Sequence, residues 1–333
     1  MTSGDFYGPA ENYFHKLLGP EAEPVFSEVD ELEANWGHRW GRADETSKLR
    51  MAIVRKPNIG MADIREDCWS EEAQALVDPE RNWYYKRQTP PDMEKVYDEH
   101  NQLVEALKAE GVNVVFAPDL PSTFTKSVYT RDPIITVPGG AIITRLAPRM
   151  RRGEEASMTQ AVAALGMPIL GTITGSGLVE GGSFHMLRKD LAAYGTSIRC
   201  NEEGADQLER LLMPLGIELI RVPLPGYTIH TDGQFMVLDE KTVMANPHRL
   251  PYEYLAKLEQ HGFEIIHPHV DEQNSCNSLM VEPGRLIMAS IYPNTAAMLR
   301  NRGFEVTLID YEEIINNGGN IHCSTTELIR DWN

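Results

Sequence analysis

One pattern recurs five times along the chain: a helical stretch ends in a glycine, and a β-rich run of residues follows at once. The glycines lie at intervals of roughly 40 to 55 residues, a spacing typical of repeat architectures, at Gly111, Gly166, Gly216, Gly262 and Gly303. Glycine suits the left-handed backbone position that closes a helix, because it has no Cβ to clash there. Five copies in near-regular order therefore indicate one structural unit repeated along the chain.

A pair of short strands precedes each repeated helix after the first. The turns of these pairs are predicted where turn-forming residues separate two strand-like runs, at residues 138–140, 188–190, 239–241 and 282–285. The unit is thus strand, strand, helix, strand, and its first, modified copy begins with a strand at residues 49–55. Such units bury their faces against their neighbours. We therefore predict an α/β fold, a five-bladed α/β propeller of pseudo-fivefold units around a central site, in preference to one doubly wound sheet.

Two segments lie outside the repeat. Residues 1–48 are predicted to be an N-terminal extension that three aromatic side chains dock on the main body, Phe14, Trp36 and Trp40. Residues 49–333 are predicted to form a single domain. Within it, residues 58–91 show little periodicity, so we expect a long loop. A loop of that length inside a compact domain is usually either functional, for example a lid, or disordered.

Composition excludes several classes of partner. A net charge of −18 lacks the basic surface that nucleic acids and anionic membranes require. No apolar run approaches the length of a membrane span, and the first residues lack the basic and apolar regions of a signal peptide. The four cysteines are scattered without CxxC or CxxH spacing, which argues against a zinc module or a secreted disulfide framework. We expect a cytoplasmic protein with a small-molecule substrate and neither nucleic acid nor membrane as partner; a homo-oligomer stays open.

Polar clusters occupy the same position in four of the units, just before the first strand of each predicted hairpin. Their chemically distinctive side chains are Asp132, Glu180, His230 with Asp232, and Cys276. Any one of them alone is more simply explained as a strand-end cap or a surface charge. Equivalent positions of equivalent units converge near the axis of a ring, so we predict that these side chains line one cavity.

A further cysteine, Cys323, follows the pair Gly318-Gly319, which lets the backbone approach another group closely. A cysteine becomes a nucleophile when it is deprotonated, and a cationic neighbour or substrate promotes this. A histidine such as His230 can protonate a leaving group and later activate water, and a carboxylate such as Glu180 can orient it. Cys323 is the preferred nucleophile, with Cys276 as a rival.

Two carboxylates, those of Asp132 and Asp232, exceed what such a triad needs. They indicate a cationic substrate with several N–H donors, and a planar guanidinium matches paired carboxylates bidentately. An amide or an ester carries no charge to match them. The expected substrate therefore contains a guanidinium group.

Four motifs resemble those of the guanidino-group-modifying enzymes, a superfamily that includes arginine deiminases, dimethylarginine dimethylaminohydrolases, agmatine deiminases and amidinotransferases. In the order of that superfamily they are Tyr129-Thr-Arg-Asp132-Pro, Glu180-Gly-Gly, His230-Thr-Asp232 and Gly318-Gly-Asn-Ile-His-Cys323. The resemblance implies the fivefold α/β propeller known as the pentein fold, with residues 49–333 as its catalytic domain. It also implies Cys323 as nucleophile, His230 as acid and base, Glu180 as the partner of His230, and Asp132 and Asp232 as guanidinium ligands.

The same resemblance implies two arginines that bind a substrate carboxylate, Arg199 and Arg151. Arg199 is the firmer match, because other arginines at positions 145, 149 and 152 crowd the assignment of Arg151. The chain also departs from the pattern: Ser183 stands where the superfamily has an aspartate after Glu-Gly-Gly. A contact usually made by that aspartate is therefore lost or replaced.

The resemblance implies a cysteine-dependent hydrolase, in which Cys323 attacks the guanidinium carbon of an arginine-like guanidino acid. A covalent S-alkylthiouronium forms, and water then releases a ureido product, with ammonia as the other product. The alternative is an amidinotransferase, in which an acceptor amine replaces water; Glu180 favours hydrolysis, since the amidinotransferases often have aspartate in its place. A dimethylarginine dimethylaminohydrolase-type activity and a non-catalytic binding protein of the same fold are weaker alternatives. No cofactor and no metal is expected.

Overall fold

The computed structural model describes residues 26–332, and within them five three-stranded sheets share one topology. In each sheet the middle strand pairs antiparallel with the first strand and parallel with the third. In the order first, middle and third strand, the sheets are β18 (Thr326–Arg330), β1 (Leu49–Val54) and β5 (Asn113–Phe116); β6 (Ile134–Val137), β7 (Gly140–Ile143) and β8 (Ile169–Thr172); β9 (Phe184–Arg188), β10 (Leu191–Thr196) and β11 (Glu218–Pro223); β12 (Phe235–Val237), β13 (Thr242–Ala245) and β14 (Glu264–Ile266); and β15 (Leu279–Glu282), β16 (Arg285–Ala289) and β17 (Glu305–Ile309).

An α-helix links the middle strand of every such sheet to the third strand, because two parallel neighbours require a crossover connection. The short helix α1 (Val29–Trp36) precedes the sheets, and the crossovers are α2 (Met93–Ala109), α3 (Glu154–Ala164), α4 (Glu202–Leu212), α5 (Tyr252–Gln260) and α6 (Pro293–Asn301). A last short helix, α7 (Glu312–Asn316), follows β17. Single turns of 3₁₀ helix lie at Ile59–Asp63, Glu66–Cys68, Arg149–Arg151, Gly181–Ser183 and Met213–Leu215.

The five glycines of the repeat all have positive φ angles, between 71° for Gly216 and 95° for Gly303. Each lies between the helix of its unit and the third strand, as the sequence predicts. The prediction of strand, strand, helix and strand is therefore confirmed for the units that begin at β6, β9, β12 and β15.

The first unit takes its first strand from the other end of the chain. β18 pairs antiparallel with β1, with Ile53 opposite Thr326 and Leu49 opposite Arg330. This pairing ties the last described residues to the first unit. It also fixes the loop just before β18, which contains Cys323.

Residues 58–91 do not form the long loop expected from their lack of periodicity. They contain a small antiparallel sheet of three very short strands, β2 (Trp69–Ser70), β3 (Ala75–Asp78) and β4 (Trp83–Tyr85). Trp83 is buried and donates a hydrogen bond from Nε1 to Asn317 Oδ1 at 2.8 Å, and the hydroxyl of Tyr85 donates to Glu313. The segment is thereby fixed to the stretch that precedes Cys323.

Hydrophobic clusters fill the spaces between neighbouring units. One contains Leu187 and Ala193 of the third sheet together with Phe235 and Tyr254 of the fourth unit. Another joins residues of β1, β6 and β7 around Trp40. Each unit thus buries its apolar faces against its neighbours, as expected for repeated units that cannot form a core alone.

A network of buried charged residues lies where several units meet. Arg131 contacts the carboxylates of Glu45, at 3.0 Å, and Glu327, and Glu45 accepts a second bond from Arg42 at 2.8 Å. His185 also contacts Glu45, at 3.0 Å. These groups are almost completely buried, and such burial is tolerated because each charge has an opposite partner.

Part of the predicted N-terminal extension is integrated with the main body. Trp40 is 1% exposed, and the backbone N–H of Gly41 donates to Leu328 O at 2.8 Å. Trp36 is 43% exposed and does not dock as the sequence analysis expects, whereas Phe14 lies outside the described residues. None of the helices in residues 26–332 has the length and apolar character needed to cross a bilayer.

Trp40→Ala should lower the free energy of unfolding by about 3–5 kcal/mol, because it removes a large side chain from a packed cluster. Guanidinium chloride titration measures this as a lower midpoint at unchanged slope. Trp36→Ala is the matched control and should cost less, since 43% of Trp36 is exposed. Equal losses for the two variants would contradict the docking role assigned to Trp40.

Candidate active site

The predicted site residues lie at the same end of four sheets. Asp132 precedes β6, Glu180 precedes β9, and His230 and Asp232 precede β12. Cys323 precedes β18 in the first sheet. The structure brings all five side chains together.

His230 contacts two carboxylates. Its Nε2 lies 2.7 Å from Glu180 Oε2, and its Nδ1 lies 3.7 Å from Asp132 Oδ1. Burial acts to lower the pKa of His230, but the charges of Asp132 and Glu180 outweigh this, so the pKa is raised above its ordinary value. The imidazole of His230 therefore holds a proton to a higher pH than an ordinary histidine does.

Glu180 is fully buried and makes four polar contacts with three residues. Its Oε1 accepts from the backbone N–H of Ala147 at 2.9 Å and from Arg199 Nε at 3.0 Å. Its Oε2 contacts Arg199 Nη2 at 2.8 Å as well as His230. Burial acts to raise the pKa of Glu180, but the bond to His230 and the charge of Arg199 lower it overall. Glu180 therefore stays ionised and supports the charge on His230.

Asp132 is held in place by Arg151. Arg151 Nη1 donates to Asp132 Oδ2 at 2.5 Å, and the backbone N–H of Gly182 donates to Asp132 Oδ1 at 3.1 Å. Arg151 also forms a bidentate pair with Glu154, at 2.9 and 2.8 Å. A Cβ on Gly182 would lie 2.6 Å from His230 Nδ1, so only glycine fits in this part of the Glu-Gly-Gly motif.

The sulfur of Cys323 has two polar neighbours. Asp232 Oδ2 lies 3.0 Å from Sγ, and Asn277 Nδ2 donates to Sγ at 2.9 Å. The Asn277 side chain also accepts from the backbone N–H of Cys323 at 3.2 Å. Burial and the charges of Asp232 and Asp132 raise the pKa of the Cys323 thiol well above its ordinary value. Without a nearby cation the sulfur is therefore a thiol.

Sequence reasoning missed Asn277, although it belongs to the polar cluster before β15. The signal was its position, one residue from Cys276 in the cluster equivalent to those of Asp132 and His230. Cys276 itself packs among apolar side chains, and its Sγ donates to Met244 O at 3.8 Å. Burial raises its pKa strongly. Among the two cysteines considered as nucleophiles, only Cys323 lines the cavities described next.

Two cavities meet at Cys323. The larger, about 220 Å³, is lined by Asp232 and Asn277, and the smaller, about 110 Å³, by Asp132, Arg151 and Arg199. Both are also lined by Cys323, His230, Tyr84, Ile229 and the pair Gly318-Gly319. A separate cavity of about 940 Å³ contains none of the predicted site residues. The predicted site residues therefore surround the two cavities at Cys323 and not this larger one.

The glycines before Cys323 are required by close approach. Gly318 has a φ of 111°, and a Cβ on Gly319 would lie 2.5 Å from the ring of Tyr129. The Tyr84 ring, in turn, lies 4.0 Å from Lys126 Nζ. The two glycines thus let the chain approach the rings of Tyr84 and Tyr129 more closely than a residue with a Cβ could.

The model of the N,N-dimethylarginine dimethylhydrolase family, eukaryotic form, matches residues 76–330. The chain belongs to this family. It is therefore a member of the guanidino-modifying superfamily, as the four motifs predict.

Known members of the dimethylarginine dimethylaminohydrolase family are similar over most of their length. The enzyme of that name from Pseudomonas aeruginosa is 29% identical over 233 residues, which cover 70% of this chain and 88% of the relative. A solved structure of the Pseudomonas aeruginosa enzyme with citrulline has a TM-score of 0.70 at 25% identity and covers 85% of this chain and 100% of that one. An amidinotransferase from Microseira wollei shares the fold, with a TM-score of 0.71 at 18% identity over 89% and 98% of the two chains.

Ser183, which stands where the superfamily has an aspartate, contacts the backbone just before His230. Ser183 is buried, and its hydroxyl donates to Ile229 O at 3.4 Å. Ser197 donates to the same carbonyl at 2.7 Å. In this member of the dimethylarginine dimethylaminohydrolase family, two hydroxyl groups therefore hold the backbone that carries His230.

Two groups of side chains have the spacing of a metal site: Asp132, Glu180 and His230, and Glu45, His185 and His322. In the first group Arg151 and Arg199 already occupy the carboxylates, and in the second Arg42 and Arg131 do so. These arginines take carboxylate oxygens that a metal ion would have to coordinate. His322 also contacts Asp232: its Nδ1 lies 3.5 Å from Oδ2, the oxygen that contacts the sulfur of Cys323.

Asn277→Ala should slow alkylation of Cys323 by iodoacetamide by roughly tenfold to a hundredfold, since a hydrogen bond to a charged group contributes about 1.5–3 kcal/mol. The reason is that Asn277 stabilises the thiolate. Mass spectrometry of the Cys323 peptide measures the rate. Asn274→Ala is the control, because Asn274 bonds Gln234 and not the sulfur. A rate unchanged by Asn277→Ala would contradict this role.

Glu180→Gln should lower the pKa of His230, because it removes a negative charge that favours the imidazolium. An NMR titration measures this on the imidazole signal that disappears in His230→Asn. In the native protein the raised pKa adds stability that is fully present below the ordinary pKa of 6.5 and is lost as pH rises through the folded-state pKa. That pH-dependent increment should shrink in Glu180→Gln. An unshifted His230 signal would show that Glu180 does not set this pKa.

Proposed function

We propose that this protein hydrolyses the guanidino group of an arginine-like guanidino acid. The products are a ureido acid and the amine released from the amidino carbon, which is ammonia for an unsubstituted guanidine. The observation that carries the proposal is the contact of Cys323 with Asp232, in one cavity system with Asp132 and His230. Family membership supports it, as does the bound citrulline, a ureido acid, in the Pseudomonas aeruginosa structure.

The first step is the binding of a cation beside the thiol. A guanidinium between Asp132 and Asp232 donates N–H groups to their carboxylates. Its charge counters those carboxylates, whose negative charges raise the pKa of the Cys323 thiol. The sulfur then loses its proton to solvent water, because His230 is already protonated, and the thiolate attacks the central carbon of the guanidinium.

The second step is proton transfer by His230. Its raised pKa keeps it protonated for donation to the departing nitrogen. This leaves an S-alkylthiouronium on Cys323 and a neutral imidazole. The imidazole accepts a proton from water, which attacks the thiouronium, and the thiolate departs from the ureido product. Glu180 orients the ring throughout through its bond to Nε2.

The two arginines carried over from the superfamily divide their roles in this proposal. Arg199 is about one-fifth exposed and lines the smaller cavity, so it can meet a substrate carboxylate while bound to Glu180. Arg151 is almost fully buried, and Asp132 and Glu154 hold its guanidinium. Its contribution to a substrate carboxylate stays a prediction, and its contacts support a role in holding Asp132.

We further propose that the five sheets close into a five-bladed propeller around the site. Their common topology supports this, as does the pairing of β18 with β1, which joins the two ends of the repeat. The fold likeness to an amidinotransferase is compatible with the same arrangement.

Cys323→Ser should abolish ureido product formation from guanidino acids, by at least roughly a thousandfold, because the covalent intermediate cannot form. Colorimetric detection of the ureido group and an ammonia assay, over a panel of guanidino acids, measure both products. Cys276→Ser is the matched control and should retain activity.

Activity kept by Cys323→Ser and lost by a folded Cys276→Ser would reverse the assignment of the nucleophile. Amidino transfer to an added amine, without ureido product from water, would replace hydrolysis by the amidinotransferase reaction.

A further inference from the structure

The two cavities that meet at Cys323 divide the guanidinium ligands between them. Asp132 lines the smaller cavity, with Arg199, and Asp232 lines the larger one. Cys323 and His230 line both. A guanidinium carbon at Cys323 therefore lies at the boundary, with one nitrogen directed into each cavity.

The proposed reaction uses the smaller cavity for the amino-acid end of the substrate, because Arg199 lines it. No part of that substrate fills the larger cavity. A volume of about 220 Å³ corresponds to roughly seven water molecules at about 30 Å³ each. Ammonia or methylamine would fill a small part of that space.

The cationic side chains of the larger cavity differ from those of the smaller one in having no carboxylate partner among the described residues. Lys86 and Arg249 line it, and among residues 26–332 neither has a carboxylate within salt-bridge distance. The charge of Arg199, in contrast, is matched by Glu180, and that of Arg151 by Asp132. Both unmatched cations belong to a chain of net charge −18. They face a cavity in which an anion would be their counter-ion.

Each of these two cations has neighbours that leave most of its donors unused. The backbone N–H of Lys86 donates to Asn316 O at 2.9 Å, and Lys86 Nζ lies 5.9 Å from the centre of the Tyr84 ring. Arg249 Nε donates a long bond of 3.4 Å to the neutral side chain of Gln273. Both side chains are exposed, so their remaining N–H groups are accessible to a ligand.

We propose that the larger cavity is the subsite for the amine released from the amidino carbon, and that this amine bears an anionic group held by Lys86 and Arg249. The substrates are then guanidines with two substituents: an amino-acid chain toward Arg199, and a carboxylate- or phosphate-bearing chain toward Lys86. This inference rests on the proposed hydrolysis.

The reaction at this subsite balances with water alone. The Cys323 thiolate forms a bond to the amidino carbon, the bond from that carbon to the anion-bearing amine breaks, and the amine nitrogen takes a proton from His230. Water then adds to the thiouronium, and the ureido acid leaves as the thiolate is restored. By microscopic reversibility, an amine that attacks the thiouronium would occupy the same subsite.

The test uses three synthetic arginines that carry a 2-carboxyethyl, a 2-phosphonoethyl or a propyl group on a terminal guanidino nitrogen. All three give the same ureido acid, so one assay compares their kcat/KM values. For the native protein, kcat/KM should be at least roughly tenfold higher for an anionic compound than for the propyl compound. A tenfold difference corresponds to about 1.4 kcal/mol of extra binding free energy. The preferred member of the anionic pair distinguishes a carboxylate from a phosphate ligand.

The ratio of kcat/KM for the preferred anionic compound to that for the propyl compound should fall toward one in Lys86→Met with Arg249→Gln, mainly through KM. Lys95→Met, an exposed lysine on α2, is the matched control and should keep the ratio. A native ratio near one, or a high ratio kept by the double variant, would overturn the inference. Cleavage of arginine and the propyl compound with no anionic preference defeats this inference alone, whereas inertness of all the guanidines defeats the proposed hydrolysis.

Discussion

The pairing of buried carboxylates with arginines is the constraint on which the site depends. Ionised carboxylates in a buried site cost several kcal/mol each unless they are paired and hydrogen-bonded. Arg199 does this for Glu180 and Arg151 for Asp132, at distances of 2.8 and 2.5 Å. Because these carboxylates stay ionised, His230 gains a raised pKa and the cavity keeps its attraction for a guanidinium. The carboxylates of Glu180 and Asp132 are thus each paired with an arginine of the protein before any substrate binds.

Local patterns made much of the fold predictable. A glycine with positive φ and a turn between two strands are decided by a few adjacent residues, so Gly111 and its four equivalents marked the units correctly. The convergence of Asp132, Glu180 and His230 followed because they occupy one position of a repeat. The sheet within residues 58–91 was not predictable, because its strands are only two to four residues long. Tertiary contacts such as the hydrogen bond from Trp83 to Asn317 stabilise this sheet, and the periodicity of the sequence does not indicate such contacts.

Which residues form the site was easier to predict than which groups each of them contacts. A sequence does not reveal whether an arginine faces a ligand or a carboxylate of its own chain. Arg151 was expected to bind a substrate carboxylate, and its nearest groups are Asp132 and Glu154. Lys86 was not predicted because it lies in residues 58–91, which show little periodicity, yet it lines the cavity beside Cys323. Asn277 was hidden for another reason: a neutral amide carries no distinctive chemistry until a sulfur is placed 2.9 Å away.

The raised pKa of the Cys323 thiol links these observations to substrate selection. Burial and the charges of Asp232 and Asp132 raise the pKa of the thiol, so in the proposed reaction the sulfur would not attack an uncharged carbonyl compound. A guanidinium supplies the missing positive charge at the same carboxylates that hold it. Binding and activation are then one electrostatic event, and selectivity for a cation follows without a separate recognition element. In the proposed subsite, the unmatched charges of Lys86 and Arg249 would select the second substituent of the guanidine by the same principle, through the anionic group that it bears.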